Sequence, residues 1–163
     1  MSTDPLHLRQ HRIKVALLEP QIAPNTGNIA RLCVATASEL HLVRPLGFVL
    51  SDKLLRRSAM DYWHKLKLMV HDDTHAFFRH VGDSPFWLFS TKGTSGLWEA
   101  DFRDGDYLIF GSETSGISQE LLQAHLEKTV RIPQSPGERC LNLSTAAGIA
   151  LYEALSRMHQ QPH

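Results

Sequence analysis

Three short stretches carry the residue types from which a ligand site can be built. The first is Pro24-Asn25-Thr26-Gly27-Asn28-Ile29-Ala30-Arg31. Gly27 permits a tight turn there, and Asn25 and Asn28 supply side-chain amides. Arg31 comes three residues after Asn28, so one helical turn returns it toward the same end. Amides and a guanidinium beside a helix N-terminus suit a phosphate or a sugar hydroxyl. The same pattern also describes a capped helix with Arg31 in solvent. The second stretch is Gly111-Ser112-Glu113-Thr114-Ser115-Gly116, which follows an apolar run. Its backbone can cradle a ligand or simply turn from strand to helix. Glu113 is either a ligand group or an acid favoured by a helix dipole. The stretch matches neither the dinucleotide fingerprint nor the P-loop. The third runs from Arg131 to Tyr152. Its strand end stops at Pro133, a polar loop follows, and Asn142 opens a helix rich in small residues. Asn142 can cap that helix or hold a ligand carboxylate. Tyr152 can stack on a base, line a subunit interface or be buried.

These stretches need a frame. Apolar runs at 14–18, 40–43, 66–71, 85–90, 106–110 and 129–132 read as strands. Helical patterns fall at 29–36, 52–60, 73–81, 118–125 and 142–158, with Ser118 as an N-cap. Strands alternating with helices predict an α/β fold, a parallel sheet with helices on both faces. In such sheets the turn from strand to helix is where ligands bind. Residues 24–28 read as a turn, 92–104 as a long surface loop, 1–12 as a flexible polar tail and 13–163 as one domain. A weaker constellation joins Lys53, Arg56 and Arg57 to Asp61-Tyr62-Trp63-His64. Basic residues beside aromatics suit single-stranded RNA; a solvated basic helix with inward aromatics fits as well.

Composition narrows the function classes. Lys+Arg and Asp+Glu both number 17 in 163 residues, so no global positive field gathers nucleic acid and any such site is a local patch. The two cysteines, Cys33 and Cys140, make neither a disulfide framework nor a zinc pattern. No run reaches the length of a membrane span, and the first 14 residues lack an apolar signal core. A cytoplasmic protein without membrane attachment is the expectation.

Taken in order, LLEPQIAPNTGNIARLC, LHLVRPLGF, LLRRSAMDYW, STKG, DYLIFGSETSGI and RIPQSPGERCLNLSTAAGIALYE resemble the SPOUT-class RNA methyltransferases. Within that class the resemblance is to the small tRNA 2′-O-methyltransferases of the wobble nucleotide (the TrmL, or YibK-like, group). It implies a parallel α/β fold with a C-terminal trefoil knot, an exception to the rule against knots. It further implies a homodimer with an interfacial active site and tRNA as substrate. The methyl donor would be S-adenosylmethionine, leaving S-adenosylhomocysteine, with no metal. The reaction implied is methylation of the ribose 2′-hydroxyl of a wobble cytidine or modified uridine.

Mapped onto this chain, the resemblance puts Phe89, Thr91, Gly111, Glu113, Ile132, Cys140, Leu141 and Asn142 around the donor. Asn25, Asn28, Arg31 and Tyr152 fall at the acceptor, and Lys53, Arg56, Arg57 and Tyr62 against RNA. Family precedent makes the arginine a general base. Arginine keeps its proton in proteins, so Arg31 is read here as binding the acceptor phosphate and stabilising the developing alkoxide. Ser112 stands where the family often has Pro, Ser115 where it has Arg or Lys, Gln134 where Met is common and Cys140 where Ser is common. The competing reading is a non-catalytic RNA-binding module with a vestigial donor pocket. A nucleotide-binding oxidoreductase is disfavoured by the missing Rossmann fingerprint.

Overall fold

Val15-Ala16-Leu17-Leu18 has no polar residue, so a strand made from it must be covered on both faces. In the computed structural model, which describes residues 6–51 and 62–160, the run lies in β1 (Lys14–Leu18). The remaining strands are β2 (Glu39–Val43), β3 (Lys67–His71), β4 (Phe86–Phe89), β5 (Ser95–Gly96), β6 (Tyr107–Phe110) and β7 (Thr129–Arg131). They form one seven-stranded sheet in the order β3-β2-β1-β6-β4-β7-β5. Every neighbouring pair is parallel. Among the described residues, four helices cover it: α1 (Ala23–Thr36), α2 (Thr74–Val81), α3 (Gln119–Ala124) and α4 (Leu143–Gln160).

Alternation along each strand divides the core in two. Val15, Leu17, Leu40, Leu42, Leu108 and Phe110 pack against α1 and α4, through Ile29, Cys33, Ala147, Ala150, Leu151 and Ala154. Ala16, Leu18, Val43, Leu88 and Ile109 point the other way, onto Phe77 and Val81 of α2 and Leu122 of α3. The small residues of α4 let it lie close to α1. The same buried environment pushes the Cys33 thiol up to about 12, so Cys33 is packing material.

Two sequence expectations are corrected. The helix expected from Ile29 starts at Ala23, so Pro24 to Asn28 is its first part and not a turn. Proline suits that position, since the first N–H groups of a helix have no internal partner. Gly27 is therefore a buried helical residue without a left-handed φ. The second correction concerns residues 92–104. This segment carries edge strand β5 and buries Leu97, Ala100 and Phe102 in the main core. Gly93 permits it: a Cβ there would sit 2.4 Å from the carbonyl carbon of Val130.

The N-terminal stretch is fastened where it reaches the body. The Arg9 side chain donates to the Met158 carbonyl at the end of α4 at 3.4 Å. The Arg12 backbone and guanidinium both donate to Asp104, at 2.6 and 3.1 Å. Two other helices start on local caps, of which Ser118 is the expected one. Asp73 accepts from Ala76 N–H to open α2, and Ser118 from Leu121 N–H to open α3.

Candidate active site

The chain leaves β1 toward β2 on one side and leaves β6 toward β7 on the other. Adjacent parallel strands whose connections diverge open a crevice at their C-terminal ends. A cavity of about 480 Å³ lies there, walled by residues following β1, β4, β6 and β7. Its size falls in the usual range for a small-molecule site. Phe89, Thr91, Gly111, Glu113, Ile132, Cys140, Leu141 and Asn142 all line it. Asn25, which the family resemblance puts on the acceptor side, also lines it.

The three stretches singled out in the sequence are tied together by side chains. Glu113 is the hub. One carboxylate oxygen accepts from the Gln21 backbone N–H at 2.7 Å. The other accepts from the Ile22 N–H at 3.1 Å and the Asn25 side-chain amide at 3.3 Å. The Asn25 carbonyl oxygen in turn accepts from the Asn142 amide at 3.1 Å. Asn142 then caps α4, its oxygen accepting from Ser144 N–H at 2.9 Å and Ser144 Oγ at 2.6 Å. The first, second and third stretches thus form one continuous relay.

This relay explains the unusual start of α1. The N-cap residue Ile22 has no capping side chain of its own. Glu113 serves instead, from 91 residues away, with its negative charge at the positive end of the helix. Partial burial opposes that charge. The donors from Gln21, Asn25 and Ile22 outweigh it and hold the carboxyl below its ordinary range.

Other wall residues shape the cavity mouth. The Ser112, Thr114 and Ser115 hydroxyls cluster, with Ser112 Oγ 2.8 Å from Ser115 Oγ. Gly111 is required by the loop folding back on itself: a Cβ would sit 2.1 Å from the Gly116 carbonyl carbon. The Gln134 amide donates to the Arg139 carbonyl at 2.6 Å and closes the loop before Cys140. The Cys140 side chain is exposed.

The remaining predicted residues lie apart from the cavity wall. Asn28 and Arg31 are exposed on α1. The Arg31 guanidinium lies over the Tyr62 ring, 5.7 Å from its centroid. Tyr152 is on α4, 52% exposed. Lys53, Arg56, Arg57 and the helix expected over 52–60 lie outside the described residues. Sequence reasoning missed the bridging geometry of Asn25 and Glu113. Its signals were a proline-opened helix without a local cap and an acid flanked by hydroxyl residues.

With this geometry in hand, the chain can be compared with known proteins. The family described as SpoU rRNA Methylase matches residues 12–152. A relative from Saccharophagus degradans, named tRNA (cytidine(34)-2'-O)-methyltransferase, is 44% identical over 141 residues, covering 86% of this chain and 92% of that protein. A solved structure described as giving insights into the 2-OH methylation of C/U34 on tRNA superposes with a TM-score of 0.88 at 41% identity. That match covers 93% of this chain and 99% of the other. An AdoMet-bound rRNA methyltransferase from Sinorhizobium meliloti reaches a TM-score of 0.79 at 26% identity, over 96% of this chain and 60% of that one.

Proposed function

Because the chain belongs to the SpoU rRNA Methylase family, we propose that it moves a methyl group from S-adenosylmethionine to tRNA. The acceptor is the ribose 2′-hydroxyl of nucleotide 34, a cytidine or a modified uridine. One observation carries this reading: the relay Glu113–Asn25–Asn142 joins three stretches around one small-molecule cavity. The Saccharophagus degradans relative, named for this methylation of cytidine 34, supports the choice of acceptor.

The cavity walls suit the donor. An adenosyl group asks for flat apolar surface together with polar contacts at its edges. Phe89, Ile132 and Leu141 supply the first, and Thr91, Asn142 and the peptide edge at Gly111 the second. These residues and Cys140 would hold the donor. Glu113 fastens α1 and the cavity wall, with both carboxylate oxygens already engaged. When bound, the donor supplies an electrophilic methyl carbon on a positively charged sulfur.

The acceptor side falls to α1 and α4. Arg31 would bind a phosphate next to the acceptor ribose and stabilise the charge building on the 2′-oxygen. The hydroxyl proton leaves to water or to that phosphate as the new oxygen–carbon bond forms. The methyl–sulfur bond breaks, and S-adenosylhomocysteine remains. Asn28 would orient the ribose beside Arg31, and Tyr152 would pack against it or against a base. Ile149 and Tyr152, 39% and 52% exposed and three residues apart on α4, would lie at the interface of a homodimer that completes the acceptor side. The stretch from β7 into α4 is read as the knotted wall of the donor site. Lys53, Arg56 and Arg57 would add phosphate contacts, and the cytoplasm is the proposed compartment.

The test is mass spectrometry of tRNA nucleosides after incubation with isotope-labelled S-adenosylmethionine. Label on the ribose of nucleotide 34, lost in Arg31→Ala, is the expected result. Label on a base would overturn the assigned reaction.

A further inference from the structure

Arg31 reaches solvent on a long side chain, which leaves open how its guanidinium is aimed. Tyr62 answers that. Its ring lies under the guanidinium, 5.7 Å from centroid to the central carbon, inside the range of a cation–π contact. The ring is carried by an anchored turn. Tyr62 immediately precedes a short 3-10 turn, Trp63–Lys65, and its carbonyl accepts from Lys65 N–H at 2.9 Å. Trp63, which opens that turn, and Leu66, which follows it, pack against the core shared by α1 and α4. The turn therefore cannot drift far from α1.

We propose that Tyr62 is a positioning residue for the transfer reaction, acting through Arg31 rather than as a platform for a base. The inference rests on the reading of Arg31 as the acceptor-side cation. A guanidinium held over a ring keeps its N–H edges available for two parallel hydrogen bonds to a phosphate. Holding it there also reduces the rotamer freedom lost when the phosphate arrives. The ring face that carries Arg31 is closed to a nucleobase.

A double-mutant comparison separates the two roles. Full-length wild type, Tyr62→Phe, Tyr62→Leu, Arg31→Ala and the Tyr62→Leu/Arg31→Ala pair are compared for tRNA affinity, for kcat and KM, and for affinity toward S-adenosylmethionine. Tyr62→Phe keeps the ring and should stay within about twofold of wild type. Tyr62→Leu should lose about fivefold in tRNA affinity or kcat/KM. In the Arg31→Ala background, where tRNA affinity is the readout, the leucine substitution should cost nothing more. Affinity for S-adenosylmethionine should not move in any variant, since neither residue lines the cavity; a fall there would mark structural damage and overturn the proposal. A fivefold loss that persists without Arg31 would mean that Tyr62 touches RNA directly, and would overturn it too. Wild-type behaviour of Tyr62→Leu would do the same. Unchanged transfer in Arg31→Ala would instead remove the reading of Arg31 itself, and this inference with it.

Discussion

The proposed donor cavity and the proposed acceptor face sit at opposite ends of one short helix segment, yet they are built on different physics. At the cavity, Asn25 is buried and both ends of its amide are occupied, by Glu113 and by Asn142. Six residues of helix further on, Arg31 is exposed and leans on one ring. The cavity is fixed by hydrogen bonds among the protein's own groups. The acceptor face keeps its charge free for a partner. A pocket for a small molecule gains from being preformed, because ordering costs are then met on folding rather than on binding. A surface for RNA gains from exposed cationic groups that reach phosphate.

That contrast can be broken by mutation. The largest effect should come from Arg31→Ala, which would remove the charge stabilisation proposed for the reacting oxygen. Transfer should fall on the order of a hundredfold or more, with S-adenosylmethionine affinity unchanged by calorimetry. Next, Glu113→Ala removes the remote cap of α1 and leaves the Gln21 and Ile22 N–H groups without their acceptor. The expected cost is about 2 kcal/mol of stability, read as a melting temperature lower by roughly 5 °C. Donor affinity should weaken as well, since the wall that Glu113 fastens is released. Glu113→Gln keeps the shape and should lie between wild type and Glu113→Ala.

Acid tests a third region, away from both sites. His41 is buried on the sheet face covered by α2, its Nδ1 2.9 Å from Nε2 of His71. Burial, followed by the neighbouring His71, lowers its pKa to about 4, against the opposing pull of Glu39 and with a smaller push from His80. His71 is lowered too, by burial and then by His80, with Asp72 opposing. A depressed histidine pKa means the unfolded chain binds the proton more readily. Stability is therefore whole above about pH 6.5 and drains as the pH falls toward 4. Chemical denaturation at pH 7 and pH 5 should show a loss on the order of 1 kcal/mol from this pair. His41→Asn should flatten that dependence. The donor affinity of the folded fraction should not follow it. The smallest change belongs to Cys140→Ser. Its side chain is exposed and serine nearly keeps its size, so donor affinity should shift by less than about twofold.

The sheet was legible because its strands are short apolar runs bounded by turn residues, and a run such as Val15 to Leu18 has few other uses. The cap residue Ser118 was legible for the same local reason, serving a donor three residues away. The start of α1 was not. Its unpaired N–H groups are served by Glu113, 91 residues distant from Ile22, and no local pattern encodes that pairing. Edge strand β5 was hidden because it is two residues long and contains Gly96. The cavity walls were anticipated by the three stretches and by family resemblance. The relay joining them was not, because Asn25 had been read as a turn residue facing substrate.

The division between cavity and acceptor face can be tested in one paired measurement: S-adenosylmethionine affinity and single-turnover methyl transfer to tRNA, on Asn142→Ala and Arg31→Ala side by side. Asn142→Ala should weaken the donor, as the wall and the α4 cap loosen together. Arg31→Ala should bind the donor as wild type does and fail in transfer. Donor affinity lost in Arg31→Ala, or untouched in Asn142→Ala, would contradict the account.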